Sequence, residues 1–309
     1  MAQTGRGAGE IGEIRAYAYL TLAFLFMALN VIVGRAAHEE IAPFALSFWR
    51  WTLASALFAP FAIAKIREQR ALIRRHWKAL AVIALVMVPA GNNLISVGLA
   101  ESTALNGGLI AAARPAIILV IVAMIFRGPV GRAQWLGIAI ALAGVVLVLT
   151  GGEPGALAGF AFNRGDLWLV AGSCGIAAYQ VGVGRLPRAI HPTVLLQVTM
   201  VLGMAMMAPL YLWESTAIAP VVPTWPAIAA IVFVATLPSI GAVYLINAGI
   251  AAVGPARMGI FNYLQPLFVA AIAIPLLGER LAWYHPVALA LVAGGIVISS
   301  RGRGLPPTG

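Results

Sequence analysis

Acidic residues are scarce in this sequence, and charged residues of any kind are few. Aspartate and glutamate together number 10, lysine and arginine number 20, and charged residues make up 10% of a 309-residue chain that is 61% hydrophobic. A soluble globular protein carries about 25% charged residues. Several separate apolar segments approach the length of about 20 residues with which a helix crosses a bilayer. The composition therefore predicts an integral membrane protein.

Several motifs that carry chemistry are also missing. The only lysines, Lys65 and Lys78, do not follow glycine as the phosphate-binding GK[ST] motif requires, so we expect no nucleotide to bind. The four histidines are far apart, and Cys174 is the single cysteine. We therefore expect no metal, no cofactor, no intramolecular disulfide and no catalytic residue. The net charge of +10 is explained by basic cytoplasmic loops, and we expect no nucleic-acid partner.

Hydropathy predicts an all-α membrane protein with ten transmembrane helices. They lie near 16–34, 44–64, 79–100, 105–126, 135–150, 166–184, 192–212, 226–251, 256–277 and 282–299. With the N-terminus inside, fifteen of the 20 basic residues lie on the cytoplasmic side, and only Arg35, Arg164 and Arg280 lie outside. This asymmetry predicts a multi-pass protein of the inner (plasma) membrane with cytoplasmic N- and C-termini.

The two halves of the chain carry similar segments in the same order. NVIVGR at 30–35 resembles QVGVGR at 180–185, LISVGLA at 94–100 resembles LINAGIA at 245–251, and Pro60 aligns with Pro209. Each copy holds five spans, an odd number, so the second copy enters the membrane from the opposite side. We predict two inverted five-helix repeats, 16–150 and 166–300, flanked by cytoplasmic tails at 1–15 and 301–309, with a central cavity between them.

Two further paired segments resemble those of a known family. GLIAAARPAIILVIVAMIF, from Gly108, and GIFNYLQPLFVAAIAIPLLGERL, from Gly259, resemble the drug/metabolite transporter superfamily in its EamA branch. The resemblance covers about residues 15–300 and implies a ten-helix exporter of small metabolites that works by alternating access. Within that branch the chain is similar to bacterial aromatic amino-acid exporters, which implies an amino-acid substrate, aromatic or otherwise bulky and apolar. Another metabolite class or cationic drugs are the alternatives.

An arginine stands inside the fourth predicted span. Arg114 lies roughly 13 Å into the helix, near the middle of a ~30 Å hydrocarbon core, and it precedes Pro115. Its repeat partner Gln265 precedes Pro266. A charge at that depth costs about 3 kcal/mol or more, so such residues usually face a cavity. We predict that Arg114 binds an anionic group such as a substrate carboxylate. The alternative is that it bonds carbonyls freed by the proline, or another helix.

Other polar residues lie in the same spans or in their repeat partners. With Arg114 and Gln265, the predicted substrate-binding residues are Asn92, Asn93, Ser96, Tyr244, Asn247, Asn262 and Tyr263. Asn30 and Gln180 are repeat partners that the inverted topology places towards opposite membrane surfaces, which suits gates, and Pro115 and Pro266 are predicted hinges. Each polar residue could instead join neighbouring helices.

Three points stay open at the level of sequence. Arg50, between Trp49 and Trp51, is expected to snorkel to the outer interface. No acid lies deep in a predicted span, so transport either runs down the substrate gradient or couples to protons by another group. A lipid-modifying membrane enzyme needs a clustered His/Asp/Glu site that the sequence does not show, and a passive scaffold leaves the polar midplane residues unexplained.

Overall fold

The computed structural model describes residues 4–126, 131–153, 155–156, 162–187, 189–246, 248–249, 252 and 261–301, and this part of the chain is helical, without strands. Its main helices, numbered in chain order, are α1 (Thr4–Ala36), α2 (Pro43–Glu68), α3 (Arg70–Arg75), α4 (Trp77–Met87), α5 (Leu94–Glu101), α6 (Ala104–Ala112), α7 (Arg114–Phe126), α8 (Arg132–Leu149), α9 (Arg164–Val183), α10 (Pro192–Ala217), α11 (Trp225–Thr236), α12 (Leu264–Leu277) and α13 (Tyr284–Arg301). α1 begins at Thr4 and so includes residues 4–15 of the predicted cytoplasmic tail, a stretch that contains no proline.

Many of these helices have the length and apolarity of membrane spans. Five described segments qualify: Ile14–Glu39, Trp77–Glu101, Arg132–Leu149, Pro192–Ala217 and Trp225–Ile246. The bent pair Ala104–Ala112 and Arg114–Ile125 makes a sixth if it is one span, and Leu264–Leu277 and Tyr284–Ser299 are shorter apolar helices. The protein is therefore all-helical with several membrane-length helices. The number ten and the inversion of the second half stay predictions, and residues 256–260 of the predicted ninth span lie outside the described residues.

Prolines interrupt the helices near the middle of the bundle. α6 and α7 meet at a 46° bend, where Pro115 has no N–H to donate to the helix. Pro89 and Pro238 each occupy the second position of a π-helical turn, Val88–Asn93 between α4 and α5 and Leu237–Gly241 after α11. The two turns fall at corresponding places in the two halves. Both provide irregular backbone of the kind that membrane proteins place beside internal cavities.

Corresponding helices of the two halves pack against each other. α2 lies along α10, and α8 lies along α13. The α8–α13 contact depends on glycine, because a Cβ on Gly137 would lie 2.3 Å from the carbonyl oxygen of Gly295. Between α2 and α10, the Gln197 side-chain amide donates to the Ser55 hydroxyl at 2.8 Å. Close backbone approach and buried polar contacts are the means by which membrane helices associate, and here both join the two halves.

Three carboxylates of the second half bond to the first half at one end of the bundle, where α1 ends and α2 begins. We call this the outer end, following the predicted orientation. Glu214 accepts two backbone N–H groups at the start of α2, at 2.8 and 3.2 Å, and Glu279 accepts two at the start of α6, at 2.6 and 3.0 Å. Asp166 accepts from the side chains of Ser102 and Asn106. Helix N-termini favour such carboxylates, since their first N–H groups have no partner within the helix.

Candidate functional site

A cavity of about 340 Å³ lies between the two halves of the chain, and we call it the central cavity. Its size falls at the small end of the ~300–1,000 Å³ that small-molecule pockets occupy. Met27 and Trp51 contribute apolar and aromatic wall. The polar and charged residues of its lining come from both halves: Asn30, Arg50, Asn92, Ser96, Arg114, Tyr179, Gln180, Ser239 and Gln265.

Arg114 lines the central cavity at the point where α6 gives way to α7. Its Nε is buried without a hydrogen-bond partner, and within the described residues its guanidinium forms no hydrogen bond or ion pair. Within this part of the chain, the Arg114 guanidinium is therefore not hydrogen-bonded to the carbonyls freed by Pro115 or to a neighbouring helix. An unsatisfied buried donor costs about 1–3 kcal/mol, and its placement against a cavity indicates a group that binds what enters.

Arg50 also lines the central cavity, and the expectation that it snorkels to the outer interface is wrong. Arg50 is only 9% exposed. Its Nε donates to the Ser239 hydroxyl at 2.8 Å, and its guanidinium lies 5.0 Å from the centre of the Trp51 ring. The Ser239 hydroxyl in turn donates to the Val234 carbonyl at 2.7 Å, which Pro238 cannot reach because it has no N–H. The π-helical turn after α11 covers the guanidinium and holds it inside.

Among the acids whose side chains the structure describes, none faces these two arginines in the cavity. These acids are Glu39, Glu40, Glu68, Glu101, Glu153, Asp166, Glu214 and Glu279, and none of them lines it. Among the described residues the ion pairs are His38–Glu39 and Lys65–Glu68, both away from the cavity. The cavity therefore contains two guanidinium groups that no contacting side chain of this part of the protein neutralises.

Five further predicted residues line the central cavity. Asn30 and Gln180 face it from α1 and α9, and Gln265 faces it from the first turn of α12. The Asn92 side-chain amide donates to the Met87 carbonyl at 2.8 Å across the first π-helical turn, and the Ser96 hydroxyl donates to the Asn92 carbonyl at 3.1 Å. The acceptor oxygens of these amides and hydroxyls give the cavity polar surface of neutral charge.

The remaining predicted binding residues are placed elsewhere. Tyr244 is 70% exposed on the outside of the bundle, whereas its neighbour Val243 lines the cavity, because successive helix residues point about 100° apart. Asn93 is buried at 1% exposure but is not part of the lining, and Asn262 and Tyr263 lie in the turn before α12, outside it. Asn247 lies outside the described residues. The alignment of repeats gave the depth of these residues but not their rotation about the helix axis.

Sequence reasoning missed two of the lining residues. Arg50 was assigned to the membrane surface from its tryptophan neighbours, and Ser239 was not singled out. A signal was present for both. Pro238 aligns with Pro89, whose segment carries the predicted Asn92, so the residue after Pro238 occupies a broken turn of the same kind. Arg50 and Arg114 are the two arginines that lie more than two residues inside a predicted span.

Both halves of the chain match the same known protein family. A family model described as the EamA-like transporter family matches residues 14–150 and again residues 163–301. The chain belongs to this family. The two matches divide the chain close to the repeat boundaries predicted from the sequence. An EamA-like transporter is a membrane protein that moves small molecules, so the chain is a transporter and not an enzyme.

Several proteins are similar to this EamA-like transporter along most of their length. The uncharacterized transporter YyaM of Bacillus subtilis is 26% identical over 84% of this chain and 84% of its own, and the uncharacterized transporter YetK of the same organism is 23% identical over 93% and 87%. A solved crystal structure matches 96% of this chain and 99% of its own with a TM-score of 0.61 at 19% identity, a likeness in fold.

Proposed function

We propose that this EamA-like transporter exports small metabolites across the inner membrane by alternating access, as two inverted five-helix repeats with both termini in the cytoplasm. The observation that carries the proposal is Arg114, a guanidinium without a hydrogen-bond partner among the described residues, in a cavity lined by both halves. In transporters with inverted repeats, the substrate binds between the repeats near the midplane, beside interrupted helices. The 46° bend before Arg114 supplies such an interruption.

Amino acids are the substrate class that we propose, with the carboxylate bound by Arg114. A carboxylate and a guanidinium form charge-assisted, two-pronged hydrogen bonds, and the apolar cavity wall weakens competition from water. Asn92, Ser96 and Gln265 supply neutral hydrogen-bonding groups beside it. Cationic drugs are disfavoured as substrates, because two guanidinium groups in one small cavity repel a further positive charge.

The gates and hinges follow from the same arrangement. Asn30 and Gln180 line the cavity from corresponding helices of the two halves and are proposed as gate residues on opposite sides. Pro115 and Pro266 are proposed hinges, since each lies in a first helical turn directly after the residue that faces the cavity. Movement about these prolines would change the cavity opening without breaking the packed α8–α13 contact.

A flux assay with purified protein in vesicles tests the function. We expect efflux of amino acids, and Arg114→Gln should weaken apparent affinity by about ten- to a hundredfold, the value of one charge-assisted hydrogen bond at this depth. Arg114→Lys keeps the charge without the planar fork and should be partly impaired. The control is a substrate analogue with an amidated carboxylate, which wild type and Arg114→Gln should handle alike. Equal loss of acid and amide in a folded variant contradicts the carboxylate role.

Cysteine labelling tests the orientation. Single cysteines at positions 70 and 303, in a chain with Cys174 replaced by serine, should react only with reagent on the cytoplasmic side. A cysteine at position 153 should react only from outside, because the fifth span of the first repeat ends there in the proposed topology. Labelling of positions 70 and 153 from the same side contradicts the odd number of spans between them.

A further inference from the structure

We propose that the central cavity selects molecules with two carboxylates, with Arg50 as the second anion-binding residue. This inference rests on the proposed transport function and shifts its expected preference from amino acids in general to small molecules with two carboxylates, acidic amino acids included. The observation behind it is that Arg50 and Arg114 line the same cavity of about 340 Å³ and that no acid among the described residues lines it with them. A single substrate carboxylate leaves one of the two guanidinium groups without a counter-charge.

The positions of the two arginines suit one small ligand. Arg50 lies seven residues beyond Pro43, where α2 begins, and Arg114 lies ten residues beyond Ala104, where α6 begins. Both helices begin at the outer end, where Glu214 and Glu279 cap them. At 1.5 Å per residue the depths of the two Cα atoms differ by roughly 5 Å. Because both side chains also line one cavity of about 340 Å³, two carboxylates joined by a short carbon chain suit this pair.

Hydrogen bonding leaves the useful donors of both arginines free. Arg50 uses only Nε among the described residues, in its bond to Ser239, so the two terminal amino groups retain their N–H donors. The bond to Ser239 and the Trp51 ring hold this side chain in place before a ligand arrives. Arg114 has no bond at all within the described chain. A guanidinium with free, pre-positioned donors binds a carboxylate in a planar two-pronged geometry.

Because no acid among the described residues lines the cavity, the expected affinity differs between classes of ligand. A zwitterionic amino acid brings an ammonium group, for which the described residues of the lining offer neutral oxygens but no carboxylate. A neutral molecule leaves both guanidinium groups uncompensated in a site of low dielectric, where like charges repel strongly. A molecule with two carboxylates compensates both. The lining thus favours ligands in the order of their negative charge.

A matched ligand series tests this ranking on the purified full-length protein. Succinate, its monoamide and its diamide have nearly the same shape and carry two, one and no negative charges. Binding is measured by ligand-dependent thermal stabilisation at constant ionic strength, and transport by counterflow in vesicles. We expect each lost charge to weaken binding by about tenfold or more, and L-aspartate to bind about tenfold more tightly than L-asparagine.

Substitutions locate the second charge. Arg50→Gln should reduce the preference for succinate over its monoamide to within about threefold, and Arg114→Gln should do the same, because each leaves one guanidinium. Arg50→Lys retains the charge and should retain the preference, which keeps the test open if Arg50→Gln does not fold. The matched control is Arg280→Gln, an exposed arginine at the outer end, which should change nothing.

The outcomes separate this inference from the proposed function. Diamide binding as tight as that of succinate, or an unchanged succinate preference in folded Arg50→Gln, overturns the dicarboxylate inference even if amino acids are transported. Binding ranked by charge without counterflow of any ligand overturns the transport function and leaves the ranking intact.

Discussion

The charged groups at the outer end have hydrogen-bond partners in the protein, whereas those in the central cavity have few. At the outer end, Asp166, Glu214 and Glu279 each accept at least two hydrogen bonds from the first half of the chain. In the cavity, Arg50 and Arg114 together make one hydrogen bond to the described residues, from Arg50 to Ser239. Charges whose partners the chain supplies stabilise the fold, whereas charges without partners lower its stability and serve a ligand.

This contrast also separates stability from transport. The carboxylates join the two halves at one end, so their loss should loosen the bundle while leaving the cavity chemistry unchanged. Arg114 makes no hydrogen bond to the described residues, so its loss should change ligand binding at constant or increased stability, whereas loss of Arg50 also removes its bond to Ser239 in the other half.

Asp166→Ala should destabilise the protein by about 3 kcal/mol, because it leaves the buried Ser102 hydroxyl and Asn106 amide without their shared acceptor. Thermal unfolding in detergent measures the loss. Asp166→Asn keeps one acceptor oxygen, so its stability should lie between that of the wild type and that of Asp166→Ala. Arg114→Gln, measured in parallel, should unfold at the wild-type temperature or above it. A lower unfolding temperature for Arg114→Gln than for Asp166→Ala would reverse the comparison.

Glu279→Gln should have a smaller effect of about 1 kcal/mol. The amide oxygen still accepts a backbone N–H at the start of α6, but the negative charge that favours a helix N-terminus is lost. Glu214→Gln should behave similarly at the start of α2. The control is Glu153→Gln, an exposed acid beyond the end of α8, which should leave the unfolding temperature unchanged. Equal effects of Glu153→Gln and Glu279→Gln would assign the change to net charge.

The sequence predicted the helices and the two similar halves, because hydropathy and repeat alignment measure position along the chain. It failed where rotation about a helix axis decides. Tyr244 and Val243 have nearly the same depth, yet only Val243 reaches the cavity. The prediction for Arg50 was wrong for another reason. Snorkelling assumes a free path to the interface, and the π-helical turn around Ser239, a feature of the other half, closes that path.

The Ser239 hydroxyl offers the smallest and most selective test of this comparison. It accepts from Arg50 Nε and donates to the Val234 carbonyl, so it ties a cavity charge to the broken turn of the second half. Ser239→Ala should cost about 1 kcal/mol in stability, the net value of an ordinary hydrogen bond.

The effect of Ser239→Ala on binding should be selective. Arg50 keeps its charge and its contact with Trp51 but loses one constraint on its orientation, so succinate binding should weaken by only about two- to fivefold, well below the loss in Arg50→Gln. Thr236→Val is the matched control, because its exposed hydroxyl bonds the Val232 carbonyl and touches no arginine. Positioning of Arg50 by Ser239 predicts a weaker preference for succinate over its monoamide in Ser239→Ala alone. If both variants bind the series as wild type does, the hydroxyl only satisfies the carbonyl freed at Pro238, and Arg50 is positioned by its packing on Trp51.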